Sequence, residues 1–189
     1  MAKIAVLVGS VRQDRQGIKV ARWMEKKLQE RNHTVFFIDP MELDLPLLDR
    51  MYKEMQNPSD KLKDLRSKIK NAEGYMPVTP EYNHSTSAAM KNTLDYFLEE
   101  YFFKPSAIVS YSQGGFGGVN AAQHLRQIFS ELGAPSIPSS FSIPKVHDAF
   151  DENGDLDARY DKRMAKFLNE FEWYVEALGN QREKKGVPY

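Results

Sequence analysis

Three short stretches hold nearly all the side chains able to do chemistry. "GSVRQDRQG", residues 9–17, sets the Ser10 hydroxyl beside two guanidiniums, Arg12 and Arg15, and closes on Gly17 where a helix can open. Backbone N–H groups at a helix start, joined by a hydroxyl and arginines, suit a terminal phosphate. "TPEYNHS", 79–85, crowds Pro80, Glu81, Tyr82, Asn83 and His84 onto the end of an apolar run. There Tyr82 offers an aromatic wall for a flat ring, and Asn83 can cap or hydrogen-bond it. "SYSQGGFGG", 110–118, follows Ser112 and Gln113 with four glycines in five residues. Such a segment lets the main chain approach a flat ligand closely and turn N–H groups toward its edge.

Each stretch also has a plainer reading. The first is equally a polar turn with solvated arginines, Ser85 or Ser87 caps the helix that follows the second, and the glycines of the third serve a flexible turn. Neither GxxxxGK[ST] nor GxGxxG occurs, which argues against nucleotide hydrolysis and against an ordinary dinucleotide fingerprint. His33, His84, His124 and His147 share no short repeated spacing, so no metal site is expected. "DENGDLD" at 151–157 has its glycine too early for a calcium loop and reads as a turn before a helix.

Whether the three stretches meet depends on the elements that carry them. "KIAVLV" at 3–8 is a continuous apolar run of the kind covered on both faces of a sheet. A helix over 17–31 carries Val20, Ala21, Met24 and Leu28 on one face, and a second strand follows at 33–39. Residues 40–58 read as a loop broken by Pro40, Pro46 and Pro58. A helix opened by Asn57-Pro58-Ser59 carries Leu62, Leu65 and Ile69, ahead of a third strand at 74–79. Next come a helix near 86–98 with Met90, Leu94 and Phe97, a fourth strand "SAIVSY" at 106–111, a helix over 118–132 ended by Gly133, a short strand within 138–144 and a last helix over about 158–178.

This alternation implies right-handed βαβ units and an α/β three-layer sandwich around a five-stranded parallel sheet of order 2-1-3-4-5. Ligands in such sheets bind at the carboxyl ends of the strands beside the switch point, here strands 1, 3 and 4, which is where the three stretches lie. One domain over 1–180 with a frayed polar tail over 181–189 is expected. Pro77 is the misfit, because a central strand has no natural place for a residue that cannot donate to its ladder.

Composition narrows the partners. Lys and Arg number 26 against 26 Asp and Glu, a net charge of zero, so no basic field draws nucleic acid or an anionic membrane. No apolar run approaches a membrane span, the chain enters its first strand at once, and it has no cysteine, all of which point to a cytoplasmic protein.

Taken together, the GSxR…R.G loop, PEYNHS followed by "AAMKNTLDYF", and the glycine-rich loop followed by "AAQHLRQIFSELGA" resemble the NADPH-dependent FMN reductase family. These are flavodoxin-like flavoproteins that include quinone, azo-dye and chromate reductases. The likeness runs from Lys3 to about Leu156, and "TPEYN" with a downstream "KN…DY" is its most specific part. It implies non-covalent FMN, NADPH or NADH as co-substrate, a small-molecule electron acceptor (a quinone, azo compound, metal oxyanion or free flavin), and a homodimer or homotetramer. Ser10, Arg12, Arg15, Gly17 and Ile18 would hold the phosphate and ribityl side. Pro80, Glu81, Tyr82 and Asn83 would border the isoalloxazine, and Ser112, Gln113, Gly114 and Gly115 would close its other edge.

No catalytic side chain is implied, since the cofactor carries the chemistry. The five aromatics of "DYFLEEYFF" at 95–103 exceed one buried face and suggest a partner surface. The sequence departs from the family in two places: "RQG" at 15–17 stands where quinone-reductase relatives often have S-x-N, and Pro77 replaces an aliphatic residue. A flavodoxin-like electron carrier or scaffold is the alternative, although such carriers tend to be acidic and this chain is neutral. A fold that binds a different phosphorylated ligand is a third.

Overall fold

The computed structural model describes residues 1–188. Five strands form one parallel sheet of order β2-β1-β3-β4-β5: β1 (Lys3–Val8), β2 (Thr34–Ile38), β3 (Gly74–Pro80), β4 (Val109–Tyr111) and β5 (Phe141–Ile143). The helices are α1 (Gly17–Glu30), α2 (Pro40–Leu43), α3 (Asp60–Asn71), α4 (Ala88–Asp95), α5 (Val119–Glu131) and α6 (Asp161–Lys185).

Side-chain alternation divides the core in two. Ile4, Val6 and Val8 of β1 point into one layer with Met76 and Val78, packed by α1 and α6 through Val20, Met24, Leu28, Phe167 and Phe171. Ala5 and Leu7 point the other way and join Leu62, Leu65 and Ile69 of α3 with Met90, Leu94, Leu125 and Phe129 of α4 and α5. The apolar faces read from helical spacing are thus the buried ones. A strand buried on both sides must be apolar throughout, which is why β1 shows no alternation in its sequence.

Several expectations need correction. Residues 40–58 are not all loop. Pro40 opens α2 instead of breaking the chain, because Asp39 accepts from the Met41 N–H (3.0 Å) as an N-cap and proline is favoured at the first helical position. A 3₁₀ turn follows at Tyr52–Glu54. The tail from 181 is not frayed as far as Lys185: α6 continues through it, and Arg182 Nη1 donates to the Phe103 carbonyl (2.6 Å). Residue 189, the end of the expected tail, lies outside the described residues. Of the five aromatics in 95–103, Tyr96, Phe97 and Tyr101 are core residues, so the unexplained excess shrinks to the half-buried Phe102 and Phe103.

Pro77 does sit in the central strand, fully buried, opposite Leu7 of β1. Its consequence falls on the other side. Tyr75 N–H donates to the Pro105 carbonyl (2.9 Å) and Ala107 N–H to the Tyr75 carbonyl (2.8 Å), after which the regular β3–β4 ladder starts only at Val78 and Val109. The shared register sets Pro77 against Ile108, where a residue with no N–H has nothing to give the Ala107 carbonyl. The fourth strand therefore begins at Val109 and not at Ser106, which keeps only isolated bridges to Tyr75 and Ser136.

Replacing Pro77 with valine restores that donor. A buried acceptor left unpaired costs about 1–3 kcal/mol, against about 0.4–1 kcal/mol that proline contributes by restricting the unfolded chain. Pro77→Val is expected to raise the urea midpoint measured without added ligand. A variant no more stable than the parent would show that the gap opposite Ala107 costs nothing.

Candidate functional site

The three polar stretches converge at the carboxyl edge of β1, β3 and β4, around a cavity of about 520 Å³, a size suited to a cofactor. Local hydrogen bonds set each loop before any ligand is considered. Where β1 ends, Gly9 N–H donates to the Val78 carbonyl (2.9 Å), and the Ser87 hydroxyl donates to the Gly9 carbonyl while also capping α4 by accepting from Met90 N–H (3.1 Å). Ser10 Oγ then meets Tyr82 Oη at 2.9 Å. The first and second stretches are thereby tied together at three successive points.

Arg15, expected on a phosphate, is committed elsewhere. Its guanidinium makes a bidentate pair with Asp39 at the end of β2 (2.6 and 2.5 Å) and donates to the Ser10 carbonyl (2.7 Å), with both side chains largely buried. The Asp39 hydrogen bonds push the Arg15 pKa still higher, against the opposing effect of burial, so the guanidinium stays charged. Arg12 behaves differently. It is exposed, has no carboxylate partner among the described residues, and lies 6.0 Å from the centre of the Tyr82 ring. The start of α1 is open as well. Gln16, at the N-cap position beside the cavity, makes no side-chain cap, and among the described residues the N–H groups of Gly17 and Ile18 take no backbone partner.

In the second stretch Tyr82 and Ser85 exchange backbone hydrogen bonds (both 3.0 Å), and the two residues between them have positive φ, Asn83 at 50° and His84 at 65°. This is a two-residue turn of the kind that favours asparagine. Asn83 is accordingly exposed, serves the turn, and lies outside the cavity wall. Glu81 faces the cavity, yet its carboxylate is taken up by α5: Oε2 accepts from the N–H groups of Asn120 (2.9 Å) and Ala121 (3.3 Å), and Oε1 from Asn120 Nδ2 (3.1 Å). Burial alone would raise the Glu81 pKa, but these donors, helped by His84, hold it below the ordinary 4.5.

The third stretch divides its glycines. Gly118 opens α5 in the left-handed region (φ 82°), and a Cβ there would lie 2.9 Å from the Tyr111 carbonyl. Gly114 and Gly115 are exposed with open space beside them, and the N–H groups of Gln113, Gly114 and Gly115 take no partner among the described residues. Ser112 Oγ turns inward to the Gly114 carbonyl (3.1 Å).

Of the residues singled out from sequence, Ser10, Arg12, Arg15, Pro80, Glu81, Tyr82, Ser112, Gln113 and Gly114 line the cavity, while Gly17, Ile18, Asn83 and Gly115 do not. Ile18 packs on the core. Gly17 lies behind Tyr111, since a Cβ on it would sit 1.9 Å from the Tyr111 hydroxyl. Asp14, Gln16, Tyr111 and Val146 complete the wall and were not expected. Tyr111 was legible as the last residue of the fourth strand, where side chains reach the ligand edge. Val146 arrives through its N–H bond to the Ser112 carbonyl (3.0 Å), a long-range contact with no local sign. Two wall atoms, Tyr111 Oη and Gln16 Oε1, are buried without any hydrogen-bond partner. Elsewhere among the described residues, no group of three or more His, Cys, Asp or Glu is placed to hold a metal ion.

Comparison with known proteins agrees with this geometry. The family model described as NADPH-dependent FMN reductase matches residues 2–148. The chain is 30% identical over 181 residues to a quinone reductase of Pseudomonas putida, covering 92% of this chain and 94% of that one. It is 34% identical over 151 residues to an NAD(P)H-dependent FMN reductase of Schizosaccharomyces pombe, covering 76% and 74%. Among solved structures it superposes on FerB, a flavoenzyme NAD(P)H:(acceptor) oxidoreductase of Paracoccus denitrificans, with a TM-score of 0.79, 23% identity and coverage of 94% and 98%.

The Glu81 cap can be tested by pH. A carboxyl with a lowered folded-state pKa stabilises the fold fully above its unfolded value, and that contribution is lost as pH falls through the folded value. Glu81→Gln is expected to cost about 1 kcal/mol at neutral pH, as loss of a helix cap does, and the difference from the parent should shrink in acid. Urea melts across the acid range check this, and a difference that stays constant with pH contradicts the ionised cap.

Proposed function

Because this chain belongs to the NADPH-dependent FMN reductase family, we propose that it is an FMN-dependent oxidoreductase that takes reducing equivalents from NADPH or NADH and delivers them to a small-molecule acceptor: a quinone, azo compound, metal oxyanion or free flavin. The observation that carries this reading is the cavity itself. One end is an uncapped helix start with a free arginine, the middle has a pinned aromatic wall, and the far edge has main-chain N–H groups with no internal partner.

The residues fit FMN. Two buried wall atoms without partners are a fault in a cavity meant to stay empty and a recognition feature in one meant to hold a polar ligand. The α1 N-terminus and Arg12 would hold the phosphate through unpaired N–H groups, the helix dipole and a charge-assisted bond. Tyr82, fixed by Ser10, would border the ring, and the N–H groups of Gln113 to Gly115 would face its polar edge and favour negative charge there. A bound FMN would supply the two-electron chemistry between nicotinamide and acceptor.

What remains to the protein is position. Arg15 and Asp39 hold the first loop to β2, and Glu81 holds the second loop to α5, so the wall is set before the ligand arrives. Glu81, its carboxylate taken up by the Asn120 and Ala121 donors, serves to hold the wall and not to transfer a proton.

Titrating flavin-free protein with FMN and riboflavin tests the phosphate end. Each charge-assisted bond contributes about 1.5–3 kcal/mol, so FMN should bind at least about tenfold more tightly. Arg12→Ala is expected to weaken FMN by a similar factor and to leave riboflavin unchanged; equal affinities in the parent protein would remove the phosphate assignment. Turnover tests the rest. NADPH should bleach the bound flavin and a quinone restore it, with parallel double-reciprocal lines, because donor and acceptor use one cavity in succession. A flavin that reduced nicotinamide does not bleach would make the protein a carrier.

A further inference from the structure

Tyr111 ends β4 and is only 5% exposed, yet its hydroxyl has no hydrogen-bond partner of good geometry, because the nearby Ser10 hydroxyl that acts on it is engaged with Tyr82 Oη at 2.9 Å. Such a group destabilises a fold unless something outside the chain satisfies it. Three observations fix where it points. Tyr111 lines the cavity. Its hydroxyl rests against the first residue of α1, so closely that a Cβ on Gly17 would lie 1.9 Å from it. And α1 begins there without a side-chain cap. The second buried atom without a partner, Gln16 Oε1, belongs to the residue just ahead of that helix start. An amide's oxygen and nitrogen exchange places by a flip of the group, so Gln16 can equally turn its NH₂ donors into the cavity.

The side chain that sequence reasoning assigned to this position is missing from it. Arg15 has both terminal nitrogens on Asp39 and one also on the Ser10 carbonyl. The loop thus keeps no Arg15 donor free for a ligand, while the hydroxyl of Tyr111, from β4 on the far side of β3, lies against the start of α1. Burial, followed by the field of Tyr82, raises the Tyr111 pKa well above the ordinary phenol range, while Ser10 and the guanidiniums of Arg15 and Arg12 oppose it. The group remains a protonated donor throughout any working pH.

We infer that the Tyr111 hydroxyl, together with the Gln16 carboxamide, receives the phosphate of the bound flavin and distinguishes phosphorylated from unphosphorylated flavin, in place of Arg15. This rests on the cavity being an FMN site. It also explains why Gly17 must lack a side chain: not to touch the ligand, but to admit the tyrosine that does.

Tyr111→Phe removes one oxygen and adds no atom, so the fold tolerates it. The experiment compares parent and variant in flavin-free form by fluorescence titration with FMN and with riboflavin, and by urea melts without flavin. The variant is expected to bind FMN about tenfold or more weakly, to bind riboflavin as the parent does, and to unfold at the same or a higher urea concentration because an unsatisfied buried hydroxyl is gone. Opposite signs for flavin affinity and flavin-free stability are the signature, since a merely structural tyrosine would lose both together. If the parent prefers FMN and Tyr111→Phe keeps the same ratio of FMN to riboflavin affinity, Tyr111 is not the phosphate donor and the inference falls alone. A variant that is less stable and loses both flavins equally also overturns it. If the parent binds neither flavin, or both equally, the FMN reading falls and takes this inference with it.

Discussion

The site depends first on β1 and β3 lying side by side with their carboxyl ends in register. Gly9 N–H on the Val78 carbonyl is the last rung of that pairing, and it brings Ser10 and Tyr82, 72 residues apart in the chain, to within one hydrogen bond of each other. Ser87 on the Gly9 carbonyl and Ser10 on Tyr82 continue the same seam beyond the sheet. A parallel pair needs a long crossover and earns few local contacts, so its stability comes from burial on both faces. Ile4 to Val8 supply that burial, none of them more than 1% exposed.

Above this seam the polar residues separate into two groups. Arg15, Asp39, Glu81, Asn83 and Ser87 are engaged with the chain itself: they pair loops, cap helices or occupy a left-handed turn. Arg12, Gln16, Tyr111 and the N–H groups after Ser112 have no such engagement. The division follows from physics. A wall that binds without reorganising must be held by one set of hydrogen bonds and recognise its ligand with another, because a donor already satisfied internally gains little by exchanging partners. The most conspicuous charged residues in the motifs belong largely to the first group.

The same logic accounts for the cost carried by the fourth strand. Pro77 removes a donor opposite Ala107, so Ser106 to Ile108 stay outside the regular ladder, and β4 is regular only over Val109 to Tyr111, where Tyr111 must be placed. Irregularity is confined to the end of the strand remote from the cavity.

The sequence by itself determined the elements and their order. Helical spacing picked out the buried faces of α1, α3, α4 and α5, the alternation of strands and helices led to the 2-1-3-4-5 sheet, and that order located the cavity at the ends of strands 1, 3 and 4. These properties are local, or follow from the handedness of crossovers, so one chain of letters contains them. Tertiary structure decided which partner each polar side chain takes. Nothing in "RQDRQG" says that Arg15 will find Asp39, 24 residues on, while Arg12 stays free. Nothing in "PEYNHS" says that Glu81 will cap a helix that begins at Val119. A charged group pairs with whatever opposite charge or open helix end the fold brings within about 3 Å, and those distances exist only once the crossovers have closed.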